Sequence, residues 1–485
     1  MKLSGFLLLT GGVLLMAATL HADDREAMRI QPWSEDARYW QYRGEPVLLV
    51  GASNEDNLFN HPMVPPSGAE HEARDFAPLP SYEAEPLAEH LDRMVAAGGN
   101  YVRNTMSSRD EGNVWPFAQR EDGLYDLERA SEEYWQRFER FLELTAERGI
   151  IVQIEIWDRF DYARAPWQSN PFNPKNNVNY SAEESGLPES IDTHPSRREN
   201  PFFRAIPELE DNTVVHQYQR MHVQRLMDVS LRYDHVLYCI SNETNDSEAW
   251  SRYWARYIRE LAAERGAGIE VTEMWDMWDL RHEMHARTFD HPGLYSFVDV
   301  SQNSHQQGQT QWDRLLWVRQ RVAEPARPVN NVKMYGGSHG GGADEGQHKL
   351  WRNVLGGAAT ARYHRPGGGM GLNHTTTSHL RSLKLVREHV DVIALEPANE
   401  LLGERVDDEA YLAAQRGTAY VAYFPRSARV TLDLSDESEP MRLRWLSVIS
   451  RRFEGEAVDV EAGAQRVVLD PPGDGPWVAV LTAQR

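Results

Sequence analysis

Short apolar runs alternate along the chain with longer segments in which apolar residues recur every three or four positions. Runs of the first kind predict buried strands, and segments of the second kind predict amphipathic helices. Eight strand-like runs are found, at 46–52, 100–104, 150–157, 236–241, 269–272, 295–301, 328–332 and 359–364. Helical segments are found between them, at 84–97, 132–148, 213–232, 248–265, 312–322, 345–355 and 378–389.

This repeated strand–helix order predicts a parallel α/β fold, and eight units predict a (β/α)8 TIM barrel. A doubly wound sheet is the alternative, and it would place a phosphate-binding glycine loop after the first strand. The residues there read GASN at 51–54, which is no such loop. The segment 158–211 is rich in Asn, Pro, Ser and Arg without clear periodicity. It is predicted to be a functional loop after the third strand.

Both ends of the chain differ from this pattern. From about Glu409 short alternating runs such as TAYVAYF and WVAVLTA predict antiparallel strands. The first 22 residues hold one lysine and then an apolar run that ends at Ala22, which is typical of a cleaved signal peptide and too short for a membrane span. The predicted domains are a signal peptide at 1–22, a barrel at 23–405 and a C-terminal β-sandwich at 406–485, in a secreted or periplasmic protein.

Composition narrows the possible partners. The 485 residues carry a formal net charge of −22, which argues against nucleic acid and anionic membranes as partners. The single cysteine, Cys239, lies within a predicted strand, so we expect no internal disulfide and a buried thiol rather than a nucleophile. No set of residues has the spacing of a metal site, and no cofactor is expected.

Nearly every predicted strand ends in polar residues, with aromatic residues among them. In a barrel the C-terminal strand ends meet around the active site. One polar end would be ordinary, but eight of them indicate a lined cleft. The side chains at these ends include Glu55, Arg103, Asn104, Glu155, Trp157, Asp158, Asn242, Glu243, Glu273, Trp275, Asp276, His305, Asn331, Lys333, Tyr335, Arg362 and His364.

Carboxylates beside tryptophan and tyrosine favour sugar chemistry. One carboxylic acid protonates the glycosidic oxygen while a second carboxylate acts at the anomeric centre. Aromatic faces can stack on the apolar faces of sugar rings. Trp157, Trp275 and Trp278 fit that role, although each fits a core position equally well.

The stretch VLYCISNETN ends the fourth predicted strand in Asn242 and Glu243. This ending resembles the Asn-Glu pair of the (β/α)8 glycoside hydrolase superclan, clan GH-A. The stretches GEPVLLVGASNEDNLFN and MVAAGGNYVRN, with the C-terminal sandwich, resemble a cellulase-like group of that superclan whose tail domain is called collagen-binding. The resemblance implies that Glu243 is the catalytic acid/base and that Asn242 binds the sugar 2-hydroxyl.

The seventh strand departs from this family. It reads RPVNNVKMYGG, so Val332 stands where the nucleophilic glutamate is expected, and Lys333 follows it. Three explanations remain open: another carboxylate, a polysaccharide lyase, and a binding protein without catalysis. A water-activating base needs only to lie roughly 6.5–9.5 Å from the acid. The candidates for that carboxylate are Glu55, Glu155, Asp158, Glu273 and Asp276.

The lyase alternative rests on the cations at the strand ends. A cation would neutralise a uronate while a Tyr, His or Lys removes the neighbouring proton. The residues of these types are Lys333, Tyr335, His305, His364 and Arg362. Cations at three strand ends also favour an anionic sugar, unless they pair with Glu55, Glu155 or Glu243 in a buried network. Those cations are Arg103, Lys333, and Arg362 with Arg365.

The sequence therefore predicts a glycoside hydrolase that cleaves a polysaccharide or oligosaccharide bearing uronate or sulfate, with Glu243 as general acid. The predicted catalytic residues are Glu243, Lys333, Tyr335 and Asp276. The predicted substrate contacts are Asn242, Arg103, Asn104, Trp157, Asp158, Trp275, His305, Asn331, Arg362 and His364.

Overall fold

A computed structural model of the protein describes residues 27–60, 63–64, 85–110, 113–196, 200–337 and 340–484. The predicted signal peptide at 1–22 lies outside these residues. Within the described ranges no helix combines the length and apolar character that a membrane span requires.

The eight predicted parallel strands are all present. They are β1 (Leu49–Ala52), β2 (Tyr101–Thr105), β3 (Ile151–Asp158), β4 (Val236–Asn242), β5 (Val271–Thr272), β6 (Val298–Asp299), β7 (Val329–Met334) and β8 (Thr360–Tyr363). Parallel pairing joins them into two four-stranded sheets, in the orders β5-β4-β3-β2 and β6-β7-β8-β1.

Individual hydrogen bonds connect the neighbouring edges of these two sheets. The Asn100 main-chain N–H donates to Val50 O at 2.8 Å, and the Val50 N–H donates to the Asn100 side-chain oxygen at 2.9 Å. At the other seam, the Ser296 N–H donates to Val271 O at 3.0 Å. The described residues form no continuous eight-stranded ladder, so the structure shows the predicted barrel as two parallel half-sheets with bridged edges.

Side chains from or beside all eight strands pack together between the sheets. This central cluster contains Leu49, Tyr101, Ile151, Leu237, Cys239, Met274, Phe297, Val332 and Ala359. Cys239 is fully buried in it, as the sequence predicted. Val332 is fully buried as well, so it is a core residue whose side chain does not line a cleft.

Helices follow the strands close to the predicted positions. The longer ones are Leu87–Ala96, Glu132–Glu147, Thr213–Ser230, Glu248–Glu264, Gly308–Arg321, Lys349–Leu355 and His374–Arg387. Several begin at a side chain that accepts from a main-chain N–H of the first turn, namely Ser131, Asn212, Ser247 and Asn373. Such caps satisfy N–H groups that the helix itself leaves without partners. The segment predicted at 345–355 is interrupted, because Ala343–Gly346 forms a separate turn of helix.

The described residues of the long insertion after β3 form short elements, which are Arg159–Tyr162, Arg164–Ser169, Ala182–Ser185 and Pro201–Arg204. Asparagine side chains hold its irregular backbone. Asn173 Nδ2 donates to Trp167 O at 2.9 Å, and Asn200 Nδ2 donates to Tyr162 O at 2.7 Å. The ring of Tyr162 stacks on that of Phe202 at 4.1 Å. Hydrogen bonds from asparagine side chains to the main chain therefore take the place of regular helix or strand hydrogen bonds in this segment.

The C-terminal region is antiparallel, as predicted. One sheet contains Glu396–Pro397, Tyr411–Gln415, Ala419–Phe424, Met441–Ser447, Arg452–Val460 and Trp477–Ala483, and a second contains Leu402–Gly403, Val430–Leu432 and Val467–Leu469. Sequence reasoning missed the three-stranded sheet at Gln31–Pro32, Trp40–Tyr42 and Glu45–Val47, and the hairpin at Phe117–Gln119 and Tyr125–Ala130.

The C-terminal sheets pack on the helix that follows β7. Trp351 stacks on Tyr423 at 5.1 Å between ring centroids. On the same helix, the fully buried Arg352 donates to Asp408 at 3.1 Å. Asp408 also accepts from the Tyr411 hydroxyl at 2.7 Å. Aromatic stacking and a buried ion pair therefore join the two regions.

The core position of Val332 can be tested by Val332→Glu. The new carboxylate would be buried in an apolar cluster, so we expect the free energy of unfolding to fall by roughly 4 kcal/mol or more. The matched variant Val332→Ala should lose only about 2 kcal/mol, because it removes apolar contacts without adding charge. Chemical denaturation followed by circular dichroism measures both. A Val332→Glu protein as stable as the wild type would contradict the core position.

Candidate active site

Glu243 follows β4 directly and lies in a backbone conformation that is unfavourable for its side chain. Its φ is +49°, in the left-handed region where a non-glycine residue needs support from its surroundings. The next strand provides that support, because the Thr244 N–H donates to Met274 O at 3.0 Å and the Asp276 N–H donates to Thr244 O at 2.8 Å. The carboxylate is 16% exposed.

Three donors converge on one oxygen of this carboxylate. Lys333 Nζ lies 2.8 Å from Glu243 Oε1, the Tyr335 hydroxyl donates to the same oxygen at 2.8 Å, and Gln302 Nε2 donates to it at 3.2 Å. Lys333 and Tyr335 come from the end of β7, and Gln302 from the turn after β6. The cleft ends of β4, β6 and β7 therefore meet at Glu243.

These contacts fix the charge of Glu243. Burial opposes ionisation, but the charge of Lys333 and the hydrogen bonds from Lys333 and Tyr335 outweigh it and lower the pKa of Glu243 to about 2. Burial and the negative charge of Glu243 raise the pKa of Tyr335 well above its usual value. At neutral pH the pair is thus a carboxylate and a phenol, and Glu243 holds no proton to donate.

Lys333, not Val332, is the β7 residue that faces Glu243. The register of β7 against β8 shifts between Asn331 and Met334, and such an irregularity changes where the following side chains point. Val332 packs in the central cluster while the Lys333 side chain, only 3% exposed, reaches the carboxylate. The sequence placed Val332 where the nucleophile is expected; in the structure the side chain that reaches Glu243 is that of the next residue, Lys333.

Asn242 and Asp158 form the next shell around the ion pair. Asn242 Oδ1 accepts from Lys333 Nζ, and Asn242 Nδ2 donates to Asp158 Oδ1 at 3.0 Å. The other oxygen of Asp158 accepts from Arg109 Nη1 at 2.5 Å. The side chain of Asn242 is thus oriented from both ends before any ligand binds.

Asp276 is a half-buried carboxyl group that follows β5, the strand next to β4 in the sheet. Its main-chain N–H is bonded to the residue after Glu243. Burial raises the pKa of Asp276, and the negative charge of Glu243 raises it further. Glu243 and Asp276 therefore lie at adjacent strand ends with pKa values shifted in opposite directions.

Two of the three predicted arginines, Arg103 and Arg365, are engaged in buried ion pairs. Arg103 lies between Asp56 and Glu155, with the Glu155 contact at 2.5 Å. Arg365 contacts Asp56 at 2.7 Å. Burial opposes ionisation of Asp56, but the charges of Arg365 and Arg103 hold its pKa well below the usual range. Arg362 donates to Val332 O at 2.7 Å and to the Ser53 hydroxyl. Arg103 and Arg365 therefore belong to a buried network of paired charges, whereas the described contacts of Arg362 are to a carbonyl and a hydroxyl.

Two histidines border Tyr335. The ring of His364 lies 5.0 Å from that of Tyr335, edge to face, and the ring of His305 lies at 5.5 Å. Burial lowers the pKa of His364 well below its ordinary value, so the ring is neutral. Its Nδ1 atom is buried without a hydrogen-bond partner among the described residues. Both predicted histidines are therefore beside the ion pair.

Four predicted substrate contacts lie away from the cleft surface. Trp157 is fully buried and packs against Trp250 and Trp254. Trp275 is 2% exposed, and its indole N–H donates to Thr288 Oγ1 at 2.7 Å. These two tryptophans are core residues, which corrects the expectation that they stack on a sugar.

Asn104 and Asn331 likewise support backbone and neighbouring side chains. The Asn104 side-chain oxygen accepts from the Leu58 N–H at 2.7 Å. Asn331 Nδ2 donates to Asn353 Oδ1 at 3.2 Å. Sequence reasoning missed the roles of Gln302 and Arg109. Gln302 stands at a polar strand end, which is the one signal that could have indicated it, whereas Arg109 lies in a loop without any periodic pattern.

Two further carboxyl groups are buried between the half-sheets. Burial raises the pKa of Glu273 to about 8 and that of Asp299 to about 7. Glu273 Oε1 accepts from the main-chain N–H groups of Ser241 at 2.8 Å and Met274 at 2.9 Å. Glu273 is thus a protonated structural group at neutral pH, which fixes the end of β4 beside Glu243.

No protein-family model matches the chain, and no curated protein matches it in sequence. Its fold is shared with solved structures. A glycoside hydrolase family 5 protein from Bacteroides vulgatus has 12% identity and a TM-score of 0.60, over 95% of this chain and 94% of the other. A protein described as a glycoside hydrolase has 11% identity and a TM-score of 0.58, over 95% and 98%. A gamma-CGTase from the alkalophilic Bacillus clarkii has 10% identity and a TM-score of 0.57, over 94% and 72%.

At sequence identities of 10–12%, these structural matches show that the fold is shared. The fold is the one that these glycoside hydrolases have, and this confirms the structural side of the resemblance that the fourth strand and the C-terminal sandwich suggested.

The buried carboxyl of Glu273 predicts a pH-dependent stability. The unfolded chain releases this proton near pH 4.5 and the folded protein only near pH 8, so the folded state binds more protons between these values. Stability contributed by this group is therefore lost as pH rises, by about 1.4 kcal/mol per pH unit.

In Glu273→Gln the amide oxygen keeps both main-chain hydrogen bonds and the titration is gone. Urea denaturation at several pH values between 5 and 8 should show a shallower decline in the free energy of unfolding than in the wild type. The exposed Glu264→Gln serves as control and should leave the wild-type slope unchanged. Parallel curves for Glu273→Gln and wild type would contradict the prediction.

Proposed function

We propose that the protein is a secreted glycoside hydrolase that cleaves a polysaccharide or oligosaccharide. Two findings support this: the fold is shared with glycoside hydrolases, and carboxyl groups lie at adjacent C-terminal strand ends, where such folds place their chemistry. In this proposal the two half-sheets act as one (β/α)8 barrel around a single cleft.

The opposite pKa shifts of Glu243 and Asp276 carry the mechanism. Where two carboxyl groups have pKa values pushed apart, the protonated one is suited to general acid and the ionised one to general base. Asp276, with its raised pKa, protonates the leaving glycosidic oxygen. Glu243, with its pKa near 2, accepts a proton from the water that attacks the anomeric carbon. This exchanges the role that the sequence resemblance gave to Glu243.

Such a water-mediated displacement inverts the anomeric configuration and needs no nucleophile on β7. Lys333, which takes the nucleophile's place, instead keeps Glu243 ionised through a 2.8 Å contact. One proton leaves Asp276 and one arrives on Glu243, so the net charge of the pair stays constant through the reaction. His364 Nδ1, which has no partner among the described residues, and Asn242 are proposed to contact sugar hydroxyls.

The ion pairs favour an uncharged glycan over the acidic one suggested by the sequence. Arg103 and Arg365 are already compensated by Asp56 and Glu155, so little positive charge is left to select a uronate or sulfate. The lyase alternative loses support for the same reason, and because Tyr335 holds its proton too firmly to act as a base.

A glycan-binding protein without catalysis is the second candidate. It is favoured by one observation, which is that Lys333 from β7 pairs with Glu243 where a second carboxylate would be expected. The same pocket would then hold a sugar without cleaving it.

Incubation with neutral, uronic and sulfated polysaccharides separates these functions. We expect new reducing ends on a neutral polymer, with inverted anomeric configuration by proton NMR and no ultraviolet absorbance from an unsaturated product. Reducing ends that appear together with that absorbance would indicate a lyase. Retention on affinity gels without any product would indicate the binding protein.

Two variants distinguish the assigned roles. Asp276→Asn should lower kcat on a natural polymer by about 10²–10⁴-fold, yet keep most activity on glycosyl fluorides, whose leaving group needs no acid. Glu243→Gln should lose activity on both. The control Glu283→Gln, at an exposed position in the helix Glu283–Phe289 after the same loop, should retain activity on both. Equal losses of Asp276→Asn on polymer and fluoride would contradict the acid assignment.

The effect of Lys333 on the pKa of Glu243 can be measured in the pH profile of kcat/KM. Without its charge the pKa of Glu243 should rise, because burial then acts unopposed. In Lys333→Met the acidic limb of kcat/KM should therefore move upward by about 1–2 pH units.

The matched control for this experiment is Lys349→Met. Lys349 is also buried, but it donates to main-chain carbonyls of Ser304 and Gly340 rather than to Glu243. In this variant the acidic limb of kcat/KM should stay at the same pH as in the wild type. An unmoved acidic limb in Lys333→Met would show that Lys333 does not set the charge of Glu243.

A further inference from the structure

Trp278 is the one aromatic residue among the large hydrophobic side chains that are exposed in the described part of the chain. It is 57% exposed. Aromatic side chains of this size bury most of their surface in proteins when no ligand requires otherwise, since their apolar area is large. The exposed indole leaves a large apolar face available for contact with a ligand.

The loop that carries Trp278 is held on both sides. The carbonyl of Met277 accepts from His285 Nε2 at 2.7 Å, and the carbonyl of Trp278 accepts from Gln306 Nε2 at 3.3 Å. The next residue, Asp279, forms an ion pair with Arg314. The backbone under the indole is thus fixed before any ligand arrives, which lowers the entropy cost of binding.

This fixed loop is connected to the candidate active site. Trp278 follows Asp276 by two residues. Its hydrogen-bond partner Gln306 comes directly after the turn Ser301–His305, from which Gln302 donates to Glu243 at 3.2 Å. The loops after β5 and β6 therefore connect Trp278 to both members of the carboxyl pair.

We propose that Trp278 is a stacking platform for a sugar ring of an extended glycan chain, at a distance from the bond that is cleaved. This rests on the proposed function in placing the bond at Glu243 and Asp276, and it adds the substrate class: an uncharged chain of several pyranose units. The flat indole offers its face to the apolar C–H face of a ring, and a rigid platform favours chains long enough to reach it and the carboxyl pair together.

The test compares Trp278→Ala, Trp278→Phe and a control. Ile449→Ala serves as control because Ile449 is 60% exposed in the C-terminal sheets, away from the cleft loops. Native gels containing mixed-linkage β-glucan, galactomannan, xylan or polygalacturonate measure retention. Oligosaccharides of increasing length, prepared from the polymer that retains the wild type, measure kcat/KM.

In Trp278→Ala we expect retention by a neutral polymer to weaken and kcat/KM on long oligosaccharides to fall about tenfold. For the shortest oligosaccharide that is cleaved, kcat/KM should fall by less than about twofold, because this substrate does not reach Trp278. Trp278→Phe should recover part of the loss, and Ile449→Ala should match the wild type.

Each other outcome has a defined meaning. If Trp278→Ala binds and cleaves every length as the wild type does, the platform is overturned while the proposed function stands. If no glycan is cleaved but Trp278→Ala alone loses retention, the proposed function fails and the platform stands. Retention of the wild type by none of the polymers overturns the platform. A change of mass in light scattering with unchanged glycan binding overturns it in favour of a second copy of the chain.

Discussion

The ion pair between Lys333 and Glu243 determines the chemical state of the groups around it. It makes Glu243 a carboxylate in a site where burial alone would favour the protonated acid. Burial raises the pKa of Tyr335 and of Asp276, and the resulting negative charge on Glu243 raises both further. One contact of 2.8 Å thus influences the pKa values of side chains at three strand ends.

A buried ion pair of this kind is costly unless its remaining hydrogen-bonding capacity is satisfied. Asn242 accepts from Lys333, and Tyr335 and Gln302 donate to Glu243. These partners come from β4, β7 and the turn after β6, so the two half-sheets must keep a fixed relative position for the pair to remain compensated. The bridged seams and the central apolar cluster provide that rigidity.

The sequence was informative where the determinant was local. Apolar runs located all eight strands, and the polar ending of β4 located Glu243. It was misleading where the determinant was the direction of a side chain. The sequence did not reveal the irregularity in β7 after Asn331, nor that Val332 packs in the core while Lys333 reaches Glu243. The pairing of Arg103 with partners 47 and 52 residues away left no local pattern at all.

A short series of contacts connects the C-terminal sheets to the loop that carries Gln302. Asp408 holds Arg352 at 3.1 Å, Arg352 pairs with Glu345, and Glu345 accepts from the Gly308 N–H at 3.1 Å. Gly308 ends the loop whose turn carries Gln302. The tail therefore helps to hold this loop, and we expect recombination between relatives to keep the half-sheets and the tail together as one inherited unit, since an exchanged tail would lose the matching partner for Arg352.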